Sequence, residues 1–197
     1  MDPVPARVRR VMQRLEQIDR RDREDGTPRS RRLRAIRPEV GELLATIVLA
    51  TRARVIVEIG TSGGYSTCWL AVAAQRTGGR VITFEIDPAK AAIAQQTFHD
   101  AGIDDVVELR GADGILGLTE LQDSVDLIFL DAEKEDYERI LGEAVSALRV
   151  GGTLVADNLE SHAEALAGFR HAALSHPRLA GLVAPIGRGE LLAVKLA

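Results

Sequence analysis

The chain has 197 residues, 46% of them hydrophobic, with a net charge of −4 and a single cysteine. That length suits one domain with a full core, and no apolar run approaches the ~20 residues that span a membrane. The lone Cys68 excludes an internal disulfide and fits a reducing cytoplasm, and the charged N-terminus predicts no signal peptide.

Charge is unevenly spread. Residues 1–37 carry 12 Arg against 6 acidic residues, a net of +6 that leaves −10 for the rest. Val4, Val8, Val11, Leu15 and Ile18 recur at three- and four-residue steps and predict an amphipathic helix over 5–24. Gly26-Thr27-Pro28 ends it. A basic loop follows, with Arg29, Arg31, Arg32, Arg34 and Arg37. This arm suits an anionic substrate, RNA, a partner subunit in a homodimer, or simply a solvated face. Pro38 opens a second helix over 39–51. The break divides the chain into an N-terminal helix and loop at 1–37, a lid or dimer contact, and a main domain at 38–197.

From there strands and helices alternate. Strands are predicted at 54–59, 81–86, 106–110, 125–130 and 152–156, and helices at 65–75, 88–101, 114–121, 135–148 and 162–175. Near-continuous apolar strands separated by helices predict an α/β fold, a doubly wound, mostly parallel Rossmann-like sheet. The end differs: 182–186, the turn Gly187-Arg188-Gly189 and 190–196 predict an antiparallel β-hairpin.

Two groups of residues carry chemistry. The first strand runs into Glu58-Ile59-Gly60-Thr61-Ser62-Gly63-Gly64-Tyr65-Ser66 and then a helix. A Gly turn between a strand and a helix N-terminus builds a nucleotide-type site. The spacing here is Gly60-x-x-Gly63-Gly64, not the dinucleotide G-x-G-x-x-G, and no Lys-Ser/Thr follows as in a P-loop. The turn that remains is that used for S-adenosylmethionine. Glu85 closes the next strand, where an acid accepts hydrogen bonds from a ribose diol. Asp113 falls where an adenine edge would lie.

The second group lies at two later strand ends, Asp131-Ala132-Glu133-Lys134 and Asp157-Asn158. If those strands are neighbours, Asp131, Asp157 and Asn158 offer two carboxylates and an amide oxygen, ligands suited to Mg²⁺, Mn²⁺ or Ca²⁺. Each could instead cap a helix. Lys134 is within reach of the same point and is a candidate base for a hydroxyl that a cation polarises. His162 competes for that role, or sits in the first turn of the helix from 162. Cys68, Trp69, Tyr137 and Phe169 read as packing residues.

In order, Glu58–Ser66, Phe84-Glu85-Ile86-Asp87, Phe129–Tyr137 and Ala156-Asp157-Asn158 resemble the cation-dependent O-methyltransferases, the group of catechol and caffeoyl-coenzyme A O-methyltransferases and their bacterial relatives. The resemblance runs from about Arg37 to the end. It implies that Glu58, Gly60, Thr61, Ser66, Glu85, Asp113 and Asp131 contact S-adenosylmethionine. It further implies that Asp131, Asp157 and Asn158 bind the cation and that Lys134 is the general base. The sequence departs from that pattern at Leu159–Ala163, at Phe169-Arg170, and at Gly187-Arg188-Gly189 where Gly-Asp-Gly is usual, all on the acceptor side. The expected function is methylation of a hydroxyl on a small catechol-like acceptor. Alternatives are a tRNA hydroxyuridine O-methyltransferase of the same fold, an NAD-dependent oxidoreductase opposed by the glycine spacing, and a non-catalytic cofactor-binding protein.

Overall fold

The computed structural model describes residues 4–197. The first three residues of the 1–37 segment lie outside the described residues. Seven strands form one sheet in the order β3-β2-β1-β4-β5-β7-β6. They are β1 (Val55–Ile59), β2 (Arg80–Phe84), β3 (Val107–Arg110), β4 (Val125–Leu130), β5 (Leu148–Ala156), β6 (Leu179–Ala184) and β7 (Glu190–Lys195). The first five run parallel. β7 pairs antiparallel with β5 and with β6, so the predicted hairpin forms. β5 begins four residues before the predicted start, across a register shift between Val125 and Leu127 of its neighbour.

The helices are α1 (Ala6–Glu24), α2 (Pro38–Thr51), α3 (Tyr65–Thr77), α4 (Pro88–Ala101), α5 (Gly114–Thr119), α6 (Tyr137–Ala147) and α7 (Ala167–Ser175). Strand alternation sorts the apolar side chains between two faces. Ile56, Leu127, Phe129 and Val155 pack with α1 to α4. Val57, Ile59, Ile128, Leu130 and Leu154 pack with the other face's helices, where Tyr137, Ile140, Leu141 and Phe169 are buried. Both faces are covered, as apolar parallel strands require. No helix among the described residues is long and apolar enough to cross a membrane.

α1 is amphipathic as predicted, burying Val8, Val11, Met12 and Leu15. Arg7 fastens it to α4 by donating to the carbonyls of Asp100 (2.6 Å) and His99 (2.7 Å). These α4 carbonyls belong to the last turn, where helical partners run out and only the Gly102 cap reaches back, to His99. The helix predicted at 162–175 starts instead at Ala167. The carbonyls of Gly189 and Arg188 accept the amides of Leu159, Glu160 and Ser161. The hairpin loop therefore claims the backbone donors of this segment, which winds through turns before α7. His162 lies in that turn segment, not in a helix.

Candidate functional site

β1 is the point at which the connections reverse, with β2 on one side and β4 on the other. Ligands of open α/β sheets bind outside the carboxyl ends of strands at such a point. Four residues stand there in one row. Glu85, Gly60, Asp131 and Asp157 each follow directly on β2, β1, β4 and β5. Each donates its backbone N–H to the last residue of a neighbouring strand: Glu85 to Arg110, Gly60 to Phe84, Asp131 to Ile59 and Asp157 to Leu130, at 3.0 to 3.1 Å. Adjacent strands lie about 4.8 Å apart. The acids at the ends of β4 and β5 are therefore next-door neighbours beside the Gly60 turn.

The turn is built on two buried acids. Glu58 is fully buried, and its Oε2 accepts the hydroxyls of Thr67 (2.5 Å) and Thr83 (2.6 Å). Thr83 spends its proton there, so at the 2.5 Å contact with Thr61 it is Thr61 that donates. Burial pushes the Glu58 carboxyl up to about 7, against the pull of these hydroxyls. Glu85 accepts the amides of Ser62 (2.8 Å) and Asp87 (2.9 Å), which fixes its carboxylate at the crevice wall. Gly60 has φ +103°, and a Cβ there would stand 2.3 Å from the Asp131 carbonyl oxygen. This glycine is thus required by a neighbouring strand end as well as by any ligand. At Gly63, a Cβ would press on Leu33 and Leu15 at 3.1 and 3.3 Å. The basic loop and α1 therefore pack onto the outside of the turn.

The rim beyond is acidic. Asp131 is held by Lys134, whose Nζ stands 3.2 Å from Oδ1. The same ammonium donates to the Ala132 carbonyl (3.0 Å) and the Tyr137 hydroxyl (2.9 Å). Tyr137 is fully buried, edge-on to Phe169, and its hydroxyl lies 3.2 Å from the carbonyls of both Leu130 and Asp157. One phenol thus ties the ends of β4 and β5 to Lys134. Burial raises the Asp131 carboxyl above the usual range; Lys134 opposes this and Asp157 adds to it. Asn158 has φ +76°, a left-handed conformation uncommon outside Gly, Asn and Asp.

Glu190, which sequence reasoning missed, opens β7. Ala156 pairs with Leu191 in the antiparallel register, which sets Glu190 beside Asp157. It is fully buried, and as a carboxylate neither of its oxygens would have a donor. Burial, then the Asp157 charge and a hydrogen bond shared with Asp157, push its carboxyl up to about 10, so at neutral pH it keeps its proton and donates it to Asp157. Asp157 Oδ1 is also buried without a partner. The only sequence signal was an acid at the head of an otherwise apolar strand.

Of the residues singled out from sequence, Gly60, Glu85, Asp113, Asp131, Asp157 and Asn158 line one crevice of about 430 Å³. Glu58, Thr61 and Ser66 are buried and Lys134 stands behind Asp131. Asp113 also caps α5, accepting the Ile115 amide at 2.8 Å. Cys68 is buried, with its thiol pushed up to about 12 by burial, which suits packing. Among the described residues no three His, Cys, Asp or Glu side chains converge as a metal-holding group. The donor set instead mixes the two aspartates with the Asn158 amide, and it includes one orphaned carboxylate oxygen, Asp157 Oδ1. Such a set fits a hard cation that takes its remaining ligands from water or substrate.

The family model described as O-methyltransferase matches residues 15–180. A catechol O-methyltransferase from Niastella koreensis is 36% identical over 129 residues, covering 64% of this chain. The match spans 58% of that relative's own length. Among solved structures, a Klebsiella pneumoniae protein named as an O-methyltransferase superposes with TM-score 0.81 at 29% identity, over 95% of this chain and 90% of its own. An O-methyltransferase from Bacillus cereus, solved in complex with S-adenosylhomocysteine, superposes with TM-score 0.77 at 28% identity, over 92% and 90%.

Proposed function

This chain belongs to the O-methyltransferase family and is a methyl-transferring enzyme, and from that premise we propose that it methylates a hydroxyl of a small vicinal-oxygen acceptor, with S-adenosylmethionine as donor and a divalent cation at the Asp131–Asp157 rim. The observation that carries this reading is the single row of Glu85, Gly60, Asp131 and Asp157 across four adjacent strand ends. The catechol activity named for the Niastella koreensis relative and the nucleoside bound in the Bacillus cereus structure support it.

The residues divide the work. Glu85, pinned by two backbone amides, presents a carboxylate to a ribose diol. Ser62 Oγ, buried in the turn without a partner, faces the same ligand. Asp131, Asp157 and Asn158 are the ligands for a cation. When bound, the cation would polarise the acceptor oxygens, and S-adenosylmethionine would supply the methyl group. With Asp131 turned to that role, Lys134 would lose its ion-pair partner; after giving one ammonium proton to water, its neutral amine would take the hydroxyl proton, while Tyr137 holds Nζ in position. The acceptor oxygen then bonds to the methyl carbon and the C–S electrons pass to sulfur. The products are a methyl ether and S-adenosylhomocysteine. Alignment of the two reactants can contribute about 7–11 kcal/mol to such a step.

The test is transfer of labelled methyl from S-adenosylmethionine to catechol, with and without chelator. Wild-type protein should lose turnover in chelator, and Asp131→Ala should lack it throughout while still binding S-adenosylhomocysteine. Full turnover of Asp131→Ala in chelator would remove the cation from the mechanism.

A further inference from the structure

The mouth of the crevice carries the opposite charge to its floor. The 29–37 loop crosses the opening: Leu33 is buried against the turn, and Arg34 forms an ion pair with Glu133. The other basic side chains of the loop side are mostly engaged. Arg23 is bound to Asp19, and Arg32 Nε donates to the Thr27 carbonyl. Two guanidinium groups differ. Arg188, half-buried at the tip of the β6–β7 hairpin, has no partner among the described residues for its side chain. Arg29 has no carboxylate partner there, and its Nη2 stands 3.4 Å from His162 Nε2. Both arginines and His162 line the crevice with Asp157 and Asn158. Burial first, then the charges of Lys134, Arg29 and Arg188, depress the His162 pKa. The acceptor side of the mouth is thus a concentration of positive charge with unused donors, facing into the crevice.

An arginine fork matches the planar oxygens of a carboxylate or phosphate, and charge-assisted hydrogen bonds of this kind are the strong ones. Resting on the methyl-transfer reading above, we propose that the acceptor carries an anionic group, carboxylate or phosphate, at the end remote from its paired oxygens. Arg29 and Arg188 grip that group, with His162 as a further hydrogen-bonding partner. The acceptor therefore spans the site from acidic floor to basic mouth, which fixes which oxygen meets the methyl group. A folded RNA is the weaker occupant: it would meet the exposed Arg31, but Arg34 and Arg32 are spent inside the loop, and Arg29 and Arg188 line the crevice of about 430 Å³.

The experiment compares 3,4-dihydroxybenzoate and 3,4-dihydroxyphenyl phosphate with the neutral isostere 3,4-dihydroxybenzamide, by initial rates and by calorimetric binding to protein saturated with S-adenosylhomocysteine. At least one anion should show a kcat/KM advantage over the amide of about tenfold or more, the effect of one charge-assisted hydrogen bond. The better of the two anions identifies the group. In Arg29→Gln/Arg188→Gln that advantage should collapse to about twofold, and affinity for S-adenosylhomocysteine should hold. Equal kcat/KM for all three acceptors, with transfer intact, overturns this inference alone. A loss of S-adenosylhomocysteine affinity in the double variant also overturns it, by assigning the arginines to the cofactor's carboxylate. Transfer to none of the three, with salt-sensitive methylation of tRNA instead, overturns both readings.

Discussion

The two acidic stations at the head of the sheet are held in different ways. At the β1–α3 turn, Glu58 and Glu85 are answered by donors: two threonine hydroxyls for one, two backbone amides for the other. At the β4–β5–β7 rim, Glu190 finds no donor in the rest of the protein and shares its own proton with Asp157. Buried polar groups in native proteins are normally paired, so unpaired ones call for an explanation. The turn's acids are held mainly by the protein's own donors, with Glu58 Oε1 and Ser62 Oγ left over, while the rim's acids lean on each other. On the proposed function, the first is a scaffold for the cofactor and the second a socket for a cation.

Substitutions can break this comparison. Asp157→Ala should cost roughly 10²- to 10³-fold in kcat, the range for losing one preorganised electrostatic group, while S-adenosylhomocysteine binding by calorimetry stays near wild type. A matching collapse of cofactor affinity would show that the two stations are one. Next in size is a pH effect to which the turn contributes. The folded pKa of Glu58 is raised, so the native state keeps a proton that the unfolded chain releases above about 4.5. Its contribution is complete below that pH and is lost as pH rises to about 7, by about 3 kcal/mol. Glu58→Gln should make that slope shallower in denaturant titrations between pH 4.5 and 7, leaving the part due to the raised Glu190 carboxyl. Smallest is Arg34→Ala, which removes a part-exposed ion pair with Glu133. It should alter stability by less than about 1 kcal/mol, with little left to lose at high salt.

Legibility in the sequence follows the same divide. The Gly60-x-x-Gly63-Gly64 spacing and the acids at strand ends are local patterns, and they located the turn, the strand ends and the hairpin. The adjacency of β1, β4 and β5 followed from requiring Asp131 and Asp157 to share a purpose. Glu190 was hidden because an antiparallel register, not sequence proximity, sets it beside Asp157. Tyr137 looked like packing, and it does pack against Phe169, but its hydroxyl also joins two strand ends. The start of α7 was placed five residues early because 162–166 forms turns, with only scattered helical bonds such as that from the Leu166 amide to the His162 carbonyl. Pairings between distant segments are what a periodicity cannot express.

Gly60 and the Asp131 carbonyl share a wall one hydrogen atom thick. Supports that lean on each other drift together, so thermal displacement of the cofactor's perch carries with it the Asp131 rim proposed for the cation. The gap between methyl donor and attacking oxygen should then fluctuate less than the position of either. In-line transfer is sensitive to errors of about 1 Å, and here that tolerance is kept by main-chain contact, which side-chain exchange around the acceptor can leave untouched.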